Sequence, residues 1–450
     1  MSDINNILKS SLGTGIVDIA IIGGGPAGIM AAISARIANP DSIICILEKN
    51  SSLGKKLLLT GNSRCNYTTS LDLESLINSF GKRGRFLFEA FNSFTNKDLI
   101  EFFKSKDILP RYEDDFKVFP KDGNSQTVLN CLKNELIKCG IAIHYNFEVT
   151  AISEVLGSTV FESTSKLEKA NEDNQYFKID SALKISVISK KIIIAAGGLS
   201  YPQTGSNGVG YELAKKLGHK IMDLSPSLVA SVSNYLASLD IKGISLKNAG
   251  LSIIARGKTQ DSKKGALIFT HFGISGPVAI SLGNTVFMLT KREKEVFGAI
   301  DFCPDYPLEN ILSKYDKVRP LASKKEIIST IKIIFPKIPG DLILKLFEIT
   351  RIDPHQKTGN IKKAEITKLL EIIKKFTFKI DGTLSISVAI VTEGGIPLKE
   401  VDPKTMQSKI KENLYFAGEI IEMQGPEGGF NLQKAFSTGW LAGKSAALDK

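Results

Sequence analysis

The sequence predicts an α/β protein: a domain on a mostly parallel sheet, interrupted by an insertion that is part β-rich and part helical. Three observations carry this. Short apolar runs ending abruptly in glycines occur at Val17-Asp18-Ile19-Ala20-Ile21-Ile22 and Lys191-Ile192-Ile193-Ile194-Ala195-Ala196, as buried parallel strands do. A segment of small apolar residues with helical period follows the first run. From about Leu224 the texture changes to short alternating segments and lysine-rich helices, and glycine-rich sequence returns near Leu414.

With 450 residues, 43% of them hydrophobic and 23% charged, the chain can bury a substantial core and fill more than one domain. Residues 1–15 are polar and carry Asp3 and Lys9, so a short loose tail is expected rather than a secretory signal. Asp18 and the glycine cluster interrupt the apolar stretch 16–33, and no membrane span is expected there. The five cysteines, Cys45, Cys65, Cys131, Cys139 and Cys303, form no C-x-x-C pair and have no histidines at metal spacing. A reducing cytoplasmic location without structural zinc is expected. A formal charge of +11 and a pI near 9.1 favour polyanionic partners, although a lysine-rich composition alone also produces such a balance.

In chain order, Val17 to Ile22 reads as the first strand and residues 27–38 as a helix ended by Asn39-Pro40-Asp41. Residues 42–47 supply a second buried strand, completing a βαβ unit. Residues 99–107 and 125–139 look helical, 142–152 looks like one alternating strand, and the charged stretch 166–175 a hairpin tip or loop. After Leu224, residues 251–254 and 266–269 alternate as half-buried strands. The stretch 308–376 has helical period, punctuated by Pro320, Pro336, Pro339 and Pro354. Its lysines at 362–379 read as a solvated face.

Between the first strand and helix lies Gly23-x-Gly25-x-x-Gly28, the context in which this pattern signals a Rossmann-like dinucleotide site. Gly23 allows the tight turn, Gly25 a close approach of pyrophosphate, and Gly28 contact between helix and strand. The helix start, with Ala27, offers free N–H donors to phosphate. Glu48, twenty residues beyond Gly28, can accept hydrogen bonds from both ribose hydroxyls and would repel a 2′-phosphate. The loop alone does not separate FAD from NAD. Further along, Thr60-Gly61-Asn62-Ser63-Arg64-Cys65-Asn66 combines a glycine turn with amides, hydroxyls and a guanidinium suited to a ring edge or polar substrate. The Cys65 thiol is either a proton donor or a small buried filler. His271 either contacts substrate or is an ordinary hydrogen-bonded histidine. Gly205-x-x-Gly208-x-Gly210 has the wrong spacing for a second nicotinamide Rossmann unit.

Several segments resemble, in order, the YhiN/BaiN-like family of FAD-dependent oxidoreductases: residues 54–68 around Thr60 to Asn66, residues 195–206 with Ala196 and Gly197, Thr270-His271-Phe272-Gly273-Ile274-Ser275-Gly276-Pro277, Ala417-Gly418-Glu419, and Gly428-Gly429-Phe430-Asn431-Leu432-Gln433. The family more often has glycine where Ser63 stands. The resemblance implies FAD as cofactor and an α/β FAD-binding Rossmann-like (two-dinucleotide-binding) domain interrupted by a β-rich plus helical insertion. On this reading residues 1–203 and 385–450 form the FAD-binding domain and 204–384 the inserted substrate domain, with the flavin where the first sheet meets the insertion, under residues 270–277. The implied cofactor contacts are Gly23, Gly25, Ala27, Gly28, Glu48, Lys49, Lys56, Thr60, Gly61, Asn62, Ala196, Gly197, Gly418, Glu419, Gly429, Asn431 and Leu432. Cys65, Arg64 and Asn66 are the candidate catalytic residues.

The expected activity is flavin-dependent reduction of an activated carbon–carbon double bond, with NADH or NADPH as transient electron donor. Family members associated with dihydrouridine formation in ribosomal RNA and with steroid-like enones leave the substrate open, and the +11 charge tilts the choice toward RNA. A small-molecule enone reductase or amine oxidase, and a non-catalytic flavin-containing RNA-binding factor, are the alternatives. Oligomeric state is not legible.

Overall fold

A computed structural model describes residues 16–158 and 174–449; the polar tail 1–15 and most of the charged stretch 166–175 lie outside the described residues. The chain divides into two compact units, one running up to Leu224 and resuming at Val391, the other Ser225–Ile390. The first boundary falls later than the expected 203/204 because the helix Val209–Lys216 sends Tyr211, Leu213 and Ala214 into the first unit's core.

A seven-stranded sheet organises the first unit. Val17–Ile22 lies at its centre, parallel to Ile44–Leu47 on one side and to Ser186–Ile194 on the other. Ala142–His144 extends the sheet beyond Ile44–Leu47. On its far side Ser186–Ile194 pairs antiparallel with Gln175–Ser181 over its first half and parallel with Leu414–Phe416 over its last. Ile19 to Ile21 and Ile192 to Ile194 have essentially no exposed surface, which accounts for their unbroken apolar character. The single strand expected over 142–152 is two strands. Asn146 adopts a left-handed φ of 57° and breaks the run, so Val149–Leu156 leaves the parallel register and pairs antiparallel with Gln175–Ser181.

The helix Pro26–Ala38 begins with proline in its first turn, where no N–H is needed, and packs on the helix Phe430–Leu448. Gly439 and Gly443 make that seam: a Cβ on either would collide with the carbonyl oxygens of Ala27 and Ala31. Glycine is required because the two backbones touch.

The second unit is built on a seven-stranded sheet whose long hairpin, Ser245–Ala255 with Lys258–Thr270, turns through Arg256 and Gly257, both at positive φ. Helices Leu308–Val318, Ile327–Ile334, Gly340–Thr350 and Lys363–Lys374 close its core with Ile311, Ile331, Leu346 and Leu369. Their apolar positions recur every three or four residues, the signal legible in the sequence.

Candidate active site

The carboxyl ends of four neighbouring parallel strands stand side by side, with Ile22 opposite both Leu47 and Ile194, and Phe416 opposite Ile194. Gly23, Glu48, Ala196 with Gly197, and Gly418 with Glu419 therefore issue from one edge of the sheet, where open α/β sheets bind their ligands. Ala27 sits against this edge too, since a Cβ on Gly418 would come within 2.9 Å of the Ala27 Cβ.

In the glycine loop, a Cβ on Gly28 would collide with the Gly23 carbonyl oxygen, whereas one on Gly25 would meet nothing within 4 Å. Gly25 is the N-cap of the helix, and no side chain caps it. The loop thus combines an open approach with helix N–H groups left free, which fits a dinucleotide pyrophosphate. Glu48 is buried; its Oε2 accepts from the Gly24 N–H at 2.7 Å and its Oε1 from the Asn50 N–H at 2.8 Å and Asn50 Nδ2 at 2.7 Å. Lys49, beside it, lies 4.0 Å from Glu148.

Lys56 reaches across to Glu419: its Nζ donates to Glu419 Oε2 at 2.7 Å and to Ser200 Oγ at 2.6 Å. Glu419 Oε1 accepts from the Thr392 N–H at 2.9 Å and from Ser200 Oγ at 3.1 Å. Burial opposes the charge on Glu419, but the Lys56 ammonium and these hydrogen bonds prevail and hold its carboxyl below the usual carboxylate value.

The turn after Thr60 is strained. Gly61, Asn62, Ser63 and Cys65 all have left-handed φ, at 57°, 55°, 65° and 60°. Thr60 Oγ1 donates to the Leu57 carbonyl at 2.7 Å, anchoring the start of the turn. Asn62 is exposed. Arg64 lies over the Phe119 ring, 4.3 Å from its centroid, and pairs with Glu113 at 3.0 Å, a carboxylate shared with Arg111 at 2.6 Å. Cys65 has 0% exposure and belongs to the apolar core, and burial pushes its thiol up to about 12 despite a hydrogen bond with Thr60. The thiol does not reach solvent, an environment that suits a small buried side chain.

Asn66 brings this turn to the C-terminal helix. Its Oδ1 accepts from the Val118 N–H at 3.3 Å, and a Cβ on Gly429 would come within 2.9 Å of that oxygen. Asn431 exchanges two 2.9 Å hydrogen bonds with the Gly425 backbone, and its Nδ2 also donates to the Pro426 carbonyl at 3.2 Å. Both amide N–H groups are committed to that loop, so the Asn431 side chain shapes the helix start instead of reaching outward; Leu432 packs against the first unit's core. His271, in the second unit, is exposed with its ring edge-on to Phe272.

The residue that sequence reasoning missed is Lys434. It is 2% exposed and donates to the Met423 carbonyl. Burial pulls its ammonium down to about 8, against the nearby carboxylates of Glu419 and Glu393 and with Lys56 adding to the fall. Glu393 is in turn paired with Arg83 at 3.3 Å. The signal was available: Phe430, Lys434, Ser437 and Leu441 follow helical spacing along one buried stripe. A lysine there cannot be a surface charge.

Among the described residues no helix is long and apolar enough to cross a membrane, and no group of three or more potential ligands gathers to hold a metal. The chain is 29% identical over 433 residues to the 3-dehydro-bile acid delta(4,6)-reductase of Clostridium scindens, a match covering 95% of this chain and 98% of the relative. It is 27% identical over 433 residues to the ribosomal RNA dihydrouridine synthase of Haemophilus influenzae, covering 94% and 97%, and 25% identical over 436 residues to that of Escherichia coli, covering 96% and 98%. The HI0933-like protein Rossmann domain matches residues 17–445, nearly the whole described chain. With its glycine loop, sheet edge and full-length relatives in agreement, the chain belongs to the HI0933-like Rossmann family and is an FAD-dependent oxidoreductase.

Proposed function

We propose that this enzyme reduces an activated carbon–carbon double bond with hydride from reduced FAD and a proton from solvent, and that its acceptor is a uridine of ribosomal RNA in the cytoplasm. The observation that carries the reading is the convergence, on one unit, of an open glycine loop with the Lys56–Glu419 pair and the turn 60–66 abutting Gly429. Gly23, Gly25, Ala27 and Gly28 take the pyrophosphate, Glu48 the adenosine ribose, and Gly418 and Gly429 allow the backbone to approach the rest of the cofactor. FAD, when bound, supplies a two-electron carrier that accepts hydride from NADH or NADPH and passes it on. Arg64, fixed by Phe119 and Glu113, and Asn66 orient the acceptor. Two differently named relatives support the class of reaction, since a delta(4,6)-reduction and dihydrouridine formation both saturate a carbon–carbon bond. Net charge favours RNA of the two.

The test is anaerobic. Flavin is reduced with NADH or NADPH, then offered ribosomal RNA from a strain lacking the gene, and nucleosides are analysed. New dihydrouridine with flavin reoxidation is expected, and an unchanged nucleoside profile sinks the RNA assignment. The Clostridium scindens relative favours a second reading, a free enone as acceptor. Rapid reoxidation by a steroid enone, insensitive to salt, would select it.

A further inference from the structure

The charge of the protein is not spread along the chain. Ser225–Ile390 carries 25 lysines and arginines against 15 aspartates and glutamates, which is +10 of the total +11. Within that unit two segments abut and concentrate it. The Thr358 N–H donates to the Lys325 carbonyl at 2.9 Å, the Gly359 N–H to the Ser323 carbonyl at 3.0 Å, and the Arg319 guanidinium to the Gly359 carbonyl at 3.3 Å. Glu326 and Lys357 form a β-bridge between the same segments. Arg319, Lys324, Lys325, Lys357, Lys362 and Lys363 are thereby gathered, and all five lysines are exposed.

The acids nearby are turned to internal work. Glu326 faces His355 Nδ1 at 3.3 Å, Asp353 Oδ1 accepts from the His355 N–H at 3.0 Å, and Glu365 Oε2 accepts from the Lys362 N–H at 3.0 Å. Elsewhere in the unit, Arg256, Lys345 and Lys374 are neutralised by Glu293, Glu348 and Asp301. Arg319 and the five lysines outnumber Glu326, Asp353 and Glu365 six to three, so the cluster keeps a net positive charge.

We propose that the surface made by residues 319–325 and 357–363 is a docking site for the phosphate backbone of a polynucleotide. It rests on the reading of RNA as substrate and places the contact on the inserted unit's helical lobe. Lysine side chains on two abutting segments contact successive phosphates and release their counterions, which makes binding steeply salt-dependent and indifferent to base sequence.

The experiment uses the full-length holoenzyme and a ribosomal RNA hairpin transcribed in vitro, with binding measured across a salt series. Replacing Lys324, Lys325, Lys357 and Lys362 together by alanine is expected to weaken binding at least tenfold and to flatten the salt dependence by about one unit of slope per contact removed. A control replacing the exposed Lys97, Lys121, Lys184 and Lys399 of the other unit should bind as wild type. Equal binding by the first variant, an equal loss in the control, or tighter binding to phosphatidylserine-containing vesicles with the same four-lysine dependence overturns the proposal. Flavin reoxidation by a free enone is followed in parallel. Rapid enone reoxidation would favour the free-enone acceptor, whereas absence of dihydrouridine in the hairpin after incubation with the reduced wild-type enzyme counts against the RNA reductase reading while leaving the docking result standing.

Discussion

Lys56 Nζ lies 2.7 Å from Glu419 Oε2, and both side chains are largely enclosed. The pair ties the segment after the second strand to the segment after Leu414–Phe416, across the edge where the cofactor loop begins. Replacing Lys56 by methionine leaves a shielded carboxylate without its main counter-charge, and should cost about 3 kcal/mol in denaturant unfolding of the apoprotein. Glu419→Gln, which keeps the hydrogen bonds to Thr392 and Ser200, should cost less. Equal stability in Lys56→Met and wild type would show the pair to be incidental.

Lys434 should make stability depend on alkaline pH. Its ammonium falls from 10.5 to about 8 in the folded chain, so between those values the unfolded chain holds the extra proton. Stability from this group is therefore absent below about 8, rises through that window and is complete above 10.5. The difference in melting temperature between wild type and Lys434→Met should shift in favour of wild type as pH rises from 8 toward 10.5. A difference that stays flat would mean the lysine is solvated.

Two glycines of one loop should respond oppositely to alanine. Gly25→Ala places its methyl in open space, so the apoprotein should melt as wild type while FAD affinity, read by fluorescence titration, falls about tenfold, or about 1.4 kcal/mol. Gly28→Ala drives a methyl into the Gly23 carbonyl and should unfold or fail to accumulate. Matching FAD affinities for Gly25→Ala and wild type would move the phosphates elsewhere.

The strained turn offers a gain as well as a loss. Ser63 holds a φ of 65°, which glycine adopts without penalty, so Ser63→Gly should stabilise by about 0.5–1 kcal/mol. Cys65→Ala should lower stability by about 1 kcal/mol through lost packing, yet leave the rate of flavin reoxidation by acceptor unchanged. A large drop in that rate would return the thiol to the chemistry.

The first βαβ unit was legible because its signals are local: an apolar run, a glycine turn and a helix of small residues. The second unit's helices were legible from period alone. What stayed hidden depends on pairing between distant residues. Arg64 carries a charge that suggests a ligand, and the residues that fix its position, Glu113 and Phe119, lie about fifty positions away. The side-chain amide of Asn431 is held by Gly425 and Pro426, a pairing that its motif alone does not show. The split of residues 142–152 turned on one left-handed asparagine, a conformation that tertiary contacts select.

The seam between Pro26–Ala38 and Phe430–Leu448 bears on how the enzyme comes into being. The helix that presents the phosphate loop leans, backbone against backbone, on a partner whose Trp440 accepts from Ser34 across 406 positions of sequence. A ribosome delivers the loop early and its support late. The nascent chain must wait through synthesis of the whole intervening unit before that half of the site is rigid, so cofactor loading is a late act of biogenesis, and shortening Phe430–Leu448 should yield a protein that is made but stays colourless.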